Sequence, residues 1–252
     1  MPPITGQSIL IIGGSSGIGA AVAKLAAAEG VLVSTASSNP TRVSNAIKAI
    51  ETSLPKAKIT GYTIDLNTDD VDSRLEKLLI DVTTANGSKL DHIILTANIV
   101  NMKPIAEVTI PYLRSCNQFS FIVTLLLAKL APTFLKPSYT SSLILSTGAI
   151  ADKPVKGFTL GAFRAAGIVG LTRALAIELA PVRVNVVSPG PTDTEMWGDE
   201  EMRRQRREFF GRVALLGKAG SAEEVGEAYV YLMKDSNATG ACVNTSGGAL
   251  VQ

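Results

Sequence analysis

Apolar positions along the chain fall into seven short runs, and between them lie longer stretches whose apolar residues recur at helical spacing. The runs are Ser8 to Ile12, Val31 to Thr35, Lys58 to Ile64, Leu90 to Thr96, Ser142 to Ser146, Val182 to Val187 and Ala241 to Thr245. Short runs rich in Ile, Val and Leu predict strands buried on both faces, the pattern of a parallel sheet. The intervening stretches predict helices over Thr41 to Thr52, Asp70 to Thr84, Leu160 to Leu179 and Ala222 to Met233, with another directly after the first strand. Thr109 reads as the N-cap of a long helix reaching Leu130, with Pro111 tolerated in its first turn and an apolar face through Leu113, Phe121, Leu125 and Leu130. Repeated strand-helix units imply right-handed crossovers. The expected fold class is therefore α/β: a single doubly wound domain over residues 1–252, with a seven-stranded parallel sheet and helices on both faces. No repeat, linker or low-complexity segment divides it.

The first strand breaks into Gly13-Gly14-Ser15-Ser16-Gly17-Ile18-Gly19 and reopens as the alanine-rich Ala20 to Ala26. A helix starting on such a turn presents unpaired N–H groups and the positive end of its dipole, and Gly13, Gly17 and Gly19 let a pyrophosphate approach the backbone. A second strand follows, so the cluster sits in a strand-helix-strand unit, the setting of a dinucleotide site. Sites for NAD place a carboxylate after the second strand to bind the ribose hydroxyls. Between Val31 and Asn45 there is none. Ser37, Ser38 and Asn39 are placed instead to donate to a 2′-phosphate, and Arg42 to pair with it, which predicts NADP(H).

Composition narrows the partners. At 46% hydrophobic and 18% charged, the chain suits a sheet covered on both faces, and a net charge of +2 provides no electrostatic case for nucleic acid or an acidic membrane surface. Cys116 and Cys242 are far apart, lack metal-ligand spacing and read as core thiols of a reducing compartment. The N-terminal residues lack a basic region followed by an apolar one, and Phe119 to Leu130 is too short to span a membrane and carries Lys129. These features predict a cytoplasmic protein. His92, the only histidine, begins the fourth strand and reads as structural, and Arg203-Arg204-Gln205-Arg206-Arg207, interleaved with Glu200, Glu201 and Glu208, reads as a solvated helix face.

The spacing Gly13-x-x-x-Gly17-x-Gly19 resembles the short-chain dehydrogenase/reductase family, whose turn usually begins with Thr where this chain has Ile12. The resemblance runs over nearly the whole chain: Asp65-Leu66, Gly170 to Pro181, Val182 to Gly190, Gly217 to Val225 and Ser246-Gly247-Gly248 all match family segments. It implies a Rossmann-type fold. It implies further that Ser15, Ser16, Ile18 and the turn glycines, Asp65, Leu66 and Ala97 sit on the cofactor, with Pro189, Gly190, Thr192 and Thr194 holding the nicotinamide. A mobile lid is expected over residues 193–215, with Met196 and Trp197 covering a small hydrophobic substrate. The family also buries the helices matching Thr109 to Leu130 and Leu160 to Leu179 between subunits, which implies a homo-oligomer, a tetramer or a dimer.

The resemblance fails where the chemistry is expected. Family members carry a Ser after the fifth strand and a Tyr-x-x-x-Lys on the next helix; with Gly170-Leu171-Thr172 in register, those positions are Gly148, Gly161 and Ala165. The Tyr gives a proton to a carbonyl oxygen as hydride arrives, a contribution of roughly 10²–10⁴ in rate. An imine or iminium acceptor survives this loss, because a cationic C=N needs hydride and no acid. Asn117, Asp152 and Thr147 are the candidate catalytic groups: Asn117 matches the family's relay Asn or is a helix polar group, Thr147 joins Ser146 as a strand-end hydroxyl, and Asp152, with Lys153, Lys156 and Arg164, is either a solvated loop charge or a substrate anchor. The chain resembles a divergent fungal branch of the family, found in secondary, alkaloid-type metabolism, that lacks the same catalytic trio and includes enzymes combining iminium reduction with a Diels–Alder cyclisation. Shared features include Ser38-Asn39-Pro40-Thr41, Lys153-Pro154 and Glu227-Ala228-Tyr229; Ser120 and Val155 depart where that branch is expected to carry Arg and Asp. A non-redox cyclase or isomerase, or a retired dinucleotide-binding scaffold, is the alternative reading.

Overall fold

The computed structural model describes residues 1–98 and 103–251. Strands β1 (Ser8–Ile12), β2 (Leu32–Ser37), β3 (Lys58–Thr63), β4 (His92–Leu95), β5 (Ser142–Ser146) and β6 (Arg183–Pro189) alternate with helices α1 (Gly17–Ala28), α2 (Pro40–Ser53), α3 (Val71–Asn86), α4 (Ile110–Asn117), α5 (Thr124–Phe134) and α6 (Thr159–Glu178). The chain then continues through β7 (Thr192–Asp193), α7 (Glu200–Val213), β8 (Gly220–Ser221), α8 (Ala222–Lys234) and β9 (Cys242–Thr245). The main sheet is seven-stranded and parallel, in the order β3-β2-β1-β4-β5-β6-β9. The order reverses between β1 and β4, and a crevice opens beyond the carboxyl ends of the strands at such a point.

Strand alternation divides the core into two layers. Leu10, Ile12, Ile93, Leu143 and Leu145 join the α3, α5 and α6 side, whereas Ile9, Ile11, Ile94 and Ile144 join the α1 and α8 side. Both faces of these strands are dry, which is why their sequences are continuous apolar runs rather than alternating ones. Helix α6 is long and apolar enough to cross a membrane by length and composition alone. It packs instead along the sheet through Ile168, Thr172 and Leu175.

Two expectations change here. The helix beginning after Thr109 is interrupted: between α4 and α5, Gln118–Val123 adopt π geometry, with the Thr124 hydroxyl donating to the Phe119 carbonyl at 2.8 Å. A π turn inserts one extra residue per turn and turns the two flanking segments relative to each other. The arginine run is also more than a solvated face. Arg203 Nε and Arg207 donate to the Asp193 carboxylate at 2.7 and 2.8 Å, clamping α7 onto the two-residue β7–β8 ribbon, while Arg204 pairs with Glu201 in the same helix.

Candidate active site

Two adjoining cavities open at the carboxyl ends of the strands and share Asn98, Ser146, Thr147, Pro189, Gly190 and Pro191. The larger, about 730 Å³, runs from the β1–α1 turn across the ends of β2 and β3 to the segment after β6. Gly13, Ser16, Gly17, Ile18, Gly19, Ser37, Ser38, Arg42, Asp65, Leu66, Ala97, Thr192 and Thr194 line it together with Pro189 and Gly190. Ser15 is buried beneath the turn and does not line it. Asn39 also lies off the cleft, because its Oδ1 caps α2 by accepting from the Arg42 N–H at 2.9 Å.

The glycines of the turn are demanded by packing as much as by room for a ligand. Gly13 has φ +98°, and a Cβ there would lie 2.5 Å from Ala97 N and 2.7 Å from Thr96 Oγ1. A Cβ on Gly19 would meet the Gly13 carbonyl at 2.2 Å. The turn is thus folded onto itself and onto the end of β4. Helix α1 opens with Ser16 extended, no side-chain cap and no acidic residue in its first turn, so its N–H groups face the cleft uncompensated. One of them is already used: Gly17 N donates to Glu195 Oε2 at 2.9 Å. A carboxylate standing at this N–H shows that the turn accepts an anion, and the residues around it fit a dinucleotide pyrophosphate.

Beneath the shared wall, the Ser146 hydroxyl donates to Leu95 O at 2.6 Å and its oxygen receives the Tyr229 hydroxyl at 2.6 Å. Tyr229 is fully buried, and burial pushes its pKa far above the ordinary phenol value, with the Ser146 hydrogen bond opposing. It acts as a strut that ties α8 to the end of β5, where Ser146 in turn bonds β4, and it holds its proton at neutral pH. Nothing in its helical sequence context distinguishes it from an ordinary core residue, which is why it was missed.

The smaller cavity, about 570 Å³, is largely apolar. Gly148, Gly161 and Ala165 all line it, with Ile150, Val155, Phe158 and Ile168, and α7 covers it with Phe209, Phe210 and Val213. Met196 and Trp197, expected over a substrate, line the larger cleft instead. The aromatic cover is continuous, since the Trp197 and Phe210 rings are 5.2 Å apart and Phe209 meets Phe210 edge-on at 5.1 Å. Neither Gly148 nor Gly161 is required by the backbone. Gly148 is extended, and the nearest atom to a Cβ would be 3.8 Å away there and 3.6 Å away at Gly161. Backbone conformation and Cβ crowding therefore do not account for the glycines at these two positions.

Of the candidate catalytic groups, only Thr147 reaches the cavities, and its hydroxyl donates to the Ala165 carbonyl at 2.7 Å. Asp152 is exposed and lines neither cavity; the short helical turn Ala149–Ala151 ahead of it carries it outward. Asn117 lines neither cavity, but its Oδ1 is buried without a partner at the junction of α4 and the π segment. Among the described lining residues of the smaller cavity there is no carboxylate, imidazole, phenol or thiol. Its charges are Lys153, whose Nζ donates to Ala249 O at 3.0 Å, and the buried Arg164. Ser120 and Val155 both line it. In the lid, burial opposes ionisation of Asp193, yet its hydrogen bonds from Arg203 and Arg207 hold the carboxyl below the usual range.

A family model described as an SDR-like Rossmann domain matches residues 3–252. The chain is 49% identical to the short-chain dehydrogenase/reductase ATR9 of Stachybotrys chlorohalonatus over the full length of both. It is 35% identical to the short-chain dehydrogenase/reductase malC of Malbranchea aurantiaca over 99% of this chain and 96% of that one. The solved structure titled MalC reductase/Diels–Alderase superposes with a TM-score of 0.91 over 98% of this chain and 97% of that chain. A small-chain dehydrogenase solved in complex with NADPH is 26% identical, covers 98% of this chain and 100% of its own, and has a TM-score of 0.77.

Proposed function

As this chain belongs to the short-chain dehydrogenase/reductase family, we propose that it is an NADP(H)-dependent reductase delivering hydride to an imine, an iminium or a comparably activated acceptor in fungal secondary metabolism. One observation carries the reading: a dinucleotide cleft is built whole beside a substrate cavity whose three proton-transfer positions are Gly148, Gly161 and Ala165. NADPH, when bound, supplies the hydride and its two electrons. The protein's own residues then have positioning work to do. The α1 N–H groups would hold the pyrophosphate, Arg42 with Ser37 and Ser38 would pair a 2′-phosphate, and Pro189 to Thr194 would position the nicotinamide. Phe209, Phe210 and Val213 add apolar surface over the smaller cavity, which suits an acceptor with an apolar body. For an iminium the balance closes without an acid: a C–H bond forms, the C=N π pair returns to nitrogen, and a neutral amine leaves.

The names of the relatives, reductases of fungal origin, support the same reading. The cyclisation in one of those names is not carried over, because Ser120 and Val155 are uncharged. A homo-oligomer, most simply a tetramer, belongs to the proposal, since Ile122 of the π segment, Leu125 of α5, and Phe163 and Ile177 of α6 are exposed. The test is NADPH oxidation with a panel of cyclic imines and matched ketones. Turnover of imines with ketones nearly untouched is expected. Robust ketone turnover, or the lack of NADPH oxidation with every imine tried, overturns the proposal, and the second outcome leaves the non-redox scaffold. Light scattering showing a monomer at micromolar concentration would remove the oligomer.

A further inference from the structure

Arg164 sits on α6 one residue before Ala165, lines the substrate cavity and is only 6% exposed. One terminal nitrogen donates to the Cys116 carbonyl at 2.5 Å, at the end of α4 where the helix changes to π geometry. Its Nε is buried with no hydrogen-bond partner. Among the described residues no carboxylate pairs with it, and none lines the cavity. An isolated buried cation is costly, and such groups are ordinarily paired with an anion. Arg164 also lines the cavity, so an anion bound there would lie beside its guanidinium.

We propose that Arg164 is a specificity-determining residue that binds a negatively charged oxygen of the substrate, a carboxylate or an enolate-type oxygen carried on an apolar body. The inference rests on the reductase reading of this site and narrows it: an acceptor with a cationic C=N must also carry an anionic oxygen, because a simple cation would meet the like charge of Arg164. The apolar walls from Ile150, Phe158, Ile168 and Phe210 take the rest of the molecule.

Phenylpropanoate, phenylpropanamide and phenylpropylammonium are the probes, titrated calorimetrically into the full chain with and without NADP⁺. The carboxylate is expected to bind roughly 10- to 100-fold tighter than the ammonium, the range of a charge-assisted hydrogen-bonded contact. Arg164→Met should erase that preference and Arg164→Lys should keep part of it, with NADP⁺ affinity unchanged in both. Equal binding of ammonium and carboxylate by the wild-type chain, which needs no variant to fold, overturns the proposal. So does a preference that survives in Arg164→Met. Failure of NADP⁺ to bind at all, with carboxylate preference intact, would instead overturn the reductase reading and leave the role of Arg164 standing.

Discussion

The two cavities share a wall and differ in how they are made. The dinucleotide cleft is assembled from backbone: an uncapped helix end, a glycine turn folded onto β4, and the carboxyl ends of six strands. The substrate cavity is assembled from side chains of β5, α6 and the lid, and the positions that carry family chemistry hold Gly, Gly and Ala. Backbone sites tolerate sequence drift because N–H groups do not mutate. Side-chain sites can be emptied one residue at a time while the fold stands. The difference explains how a chain keeps its cofactor geometry while its proton donor is gone.

The sharpest way to break that comparison is to refill the emptied wall. A Gly148→Ser, Gly161→Tyr, Ala165→Lys variant should gain ketone reduction by roughly 10²–10⁴-fold, measured as NADPH oxidation, since that is the usual worth of a positioned acid. No gain would mean that the cavity shape, and not the missing phenol, excludes ketones. On the other side of the wall, Arg42→Ala should weaken NADPH binding by roughly 10- to 100-fold and leave NADH unchanged, read by thermal shift or calorimetry. Equal losses for both cofactors would return Arg42 to a bystander.

A third prediction separates the site from the scaffold. His92 lies at the opposite end of β4, fully buried, with Nε2–H donating to Gln7 Oε1 at 2.7 Å and Nδ1 accepting from Ser142 Oγ at 2.8 Å. Burial pushes its pKa down to about 3 from the ordinary 6.5, with nearby Asp91 opposing. The unfolded chain therefore binds more protons between those values. Stability is fully present above pH 6.5 and falls by up to about 1.4 kcal/mol per pH unit as pH drops toward 3. Urea midpoints should follow this slope, and His92→Gln should flatten it. Catalysis by the folded protein should be nearly flat from pH 6 to 8, because the described lining of the substrate cavity offers no group that titrates there. A bell-shaped kcat profile would reveal a proton donor.

The smallest effect expected is at Glu195. Its carboxylate occupies the Gly17 N–H and must leave before a pyrophosphate can take that donor. Glu195→Gln should tighten NADP(H) binding by a few-fold, about the worth of one exposed charged contact. Weaker binding in that variant would make Glu195 a cofactor-positioning group instead.

Much of this was legible in the chain. The dry strands and glycine turn determined a parallel α/β sheet with a dinucleotide crevice, because burial on both faces leaves a continuous apolar run and a ligand-ready helix end leaves glycines. The register Gly170-Leu171-Thr172 also located Gly148, Gly161 and Ala165, and all three do face one cavity. The sequence left Arg164 open between a solvated charge and a substrate anchor, because α6 is apolar around much of its circumference and spacing alone assigns Arg164 no buried face. The clamp on Asp193, the Glu195 contact and the Tyr229 strut join residues 10 to 178 positions apart. Local pattern carries no information on such pairs. Whether a polar side chain is solvated or sealed against a cavity depends on what other segments pack over it, and that was decided only when the sheet, α6 and the lid came together.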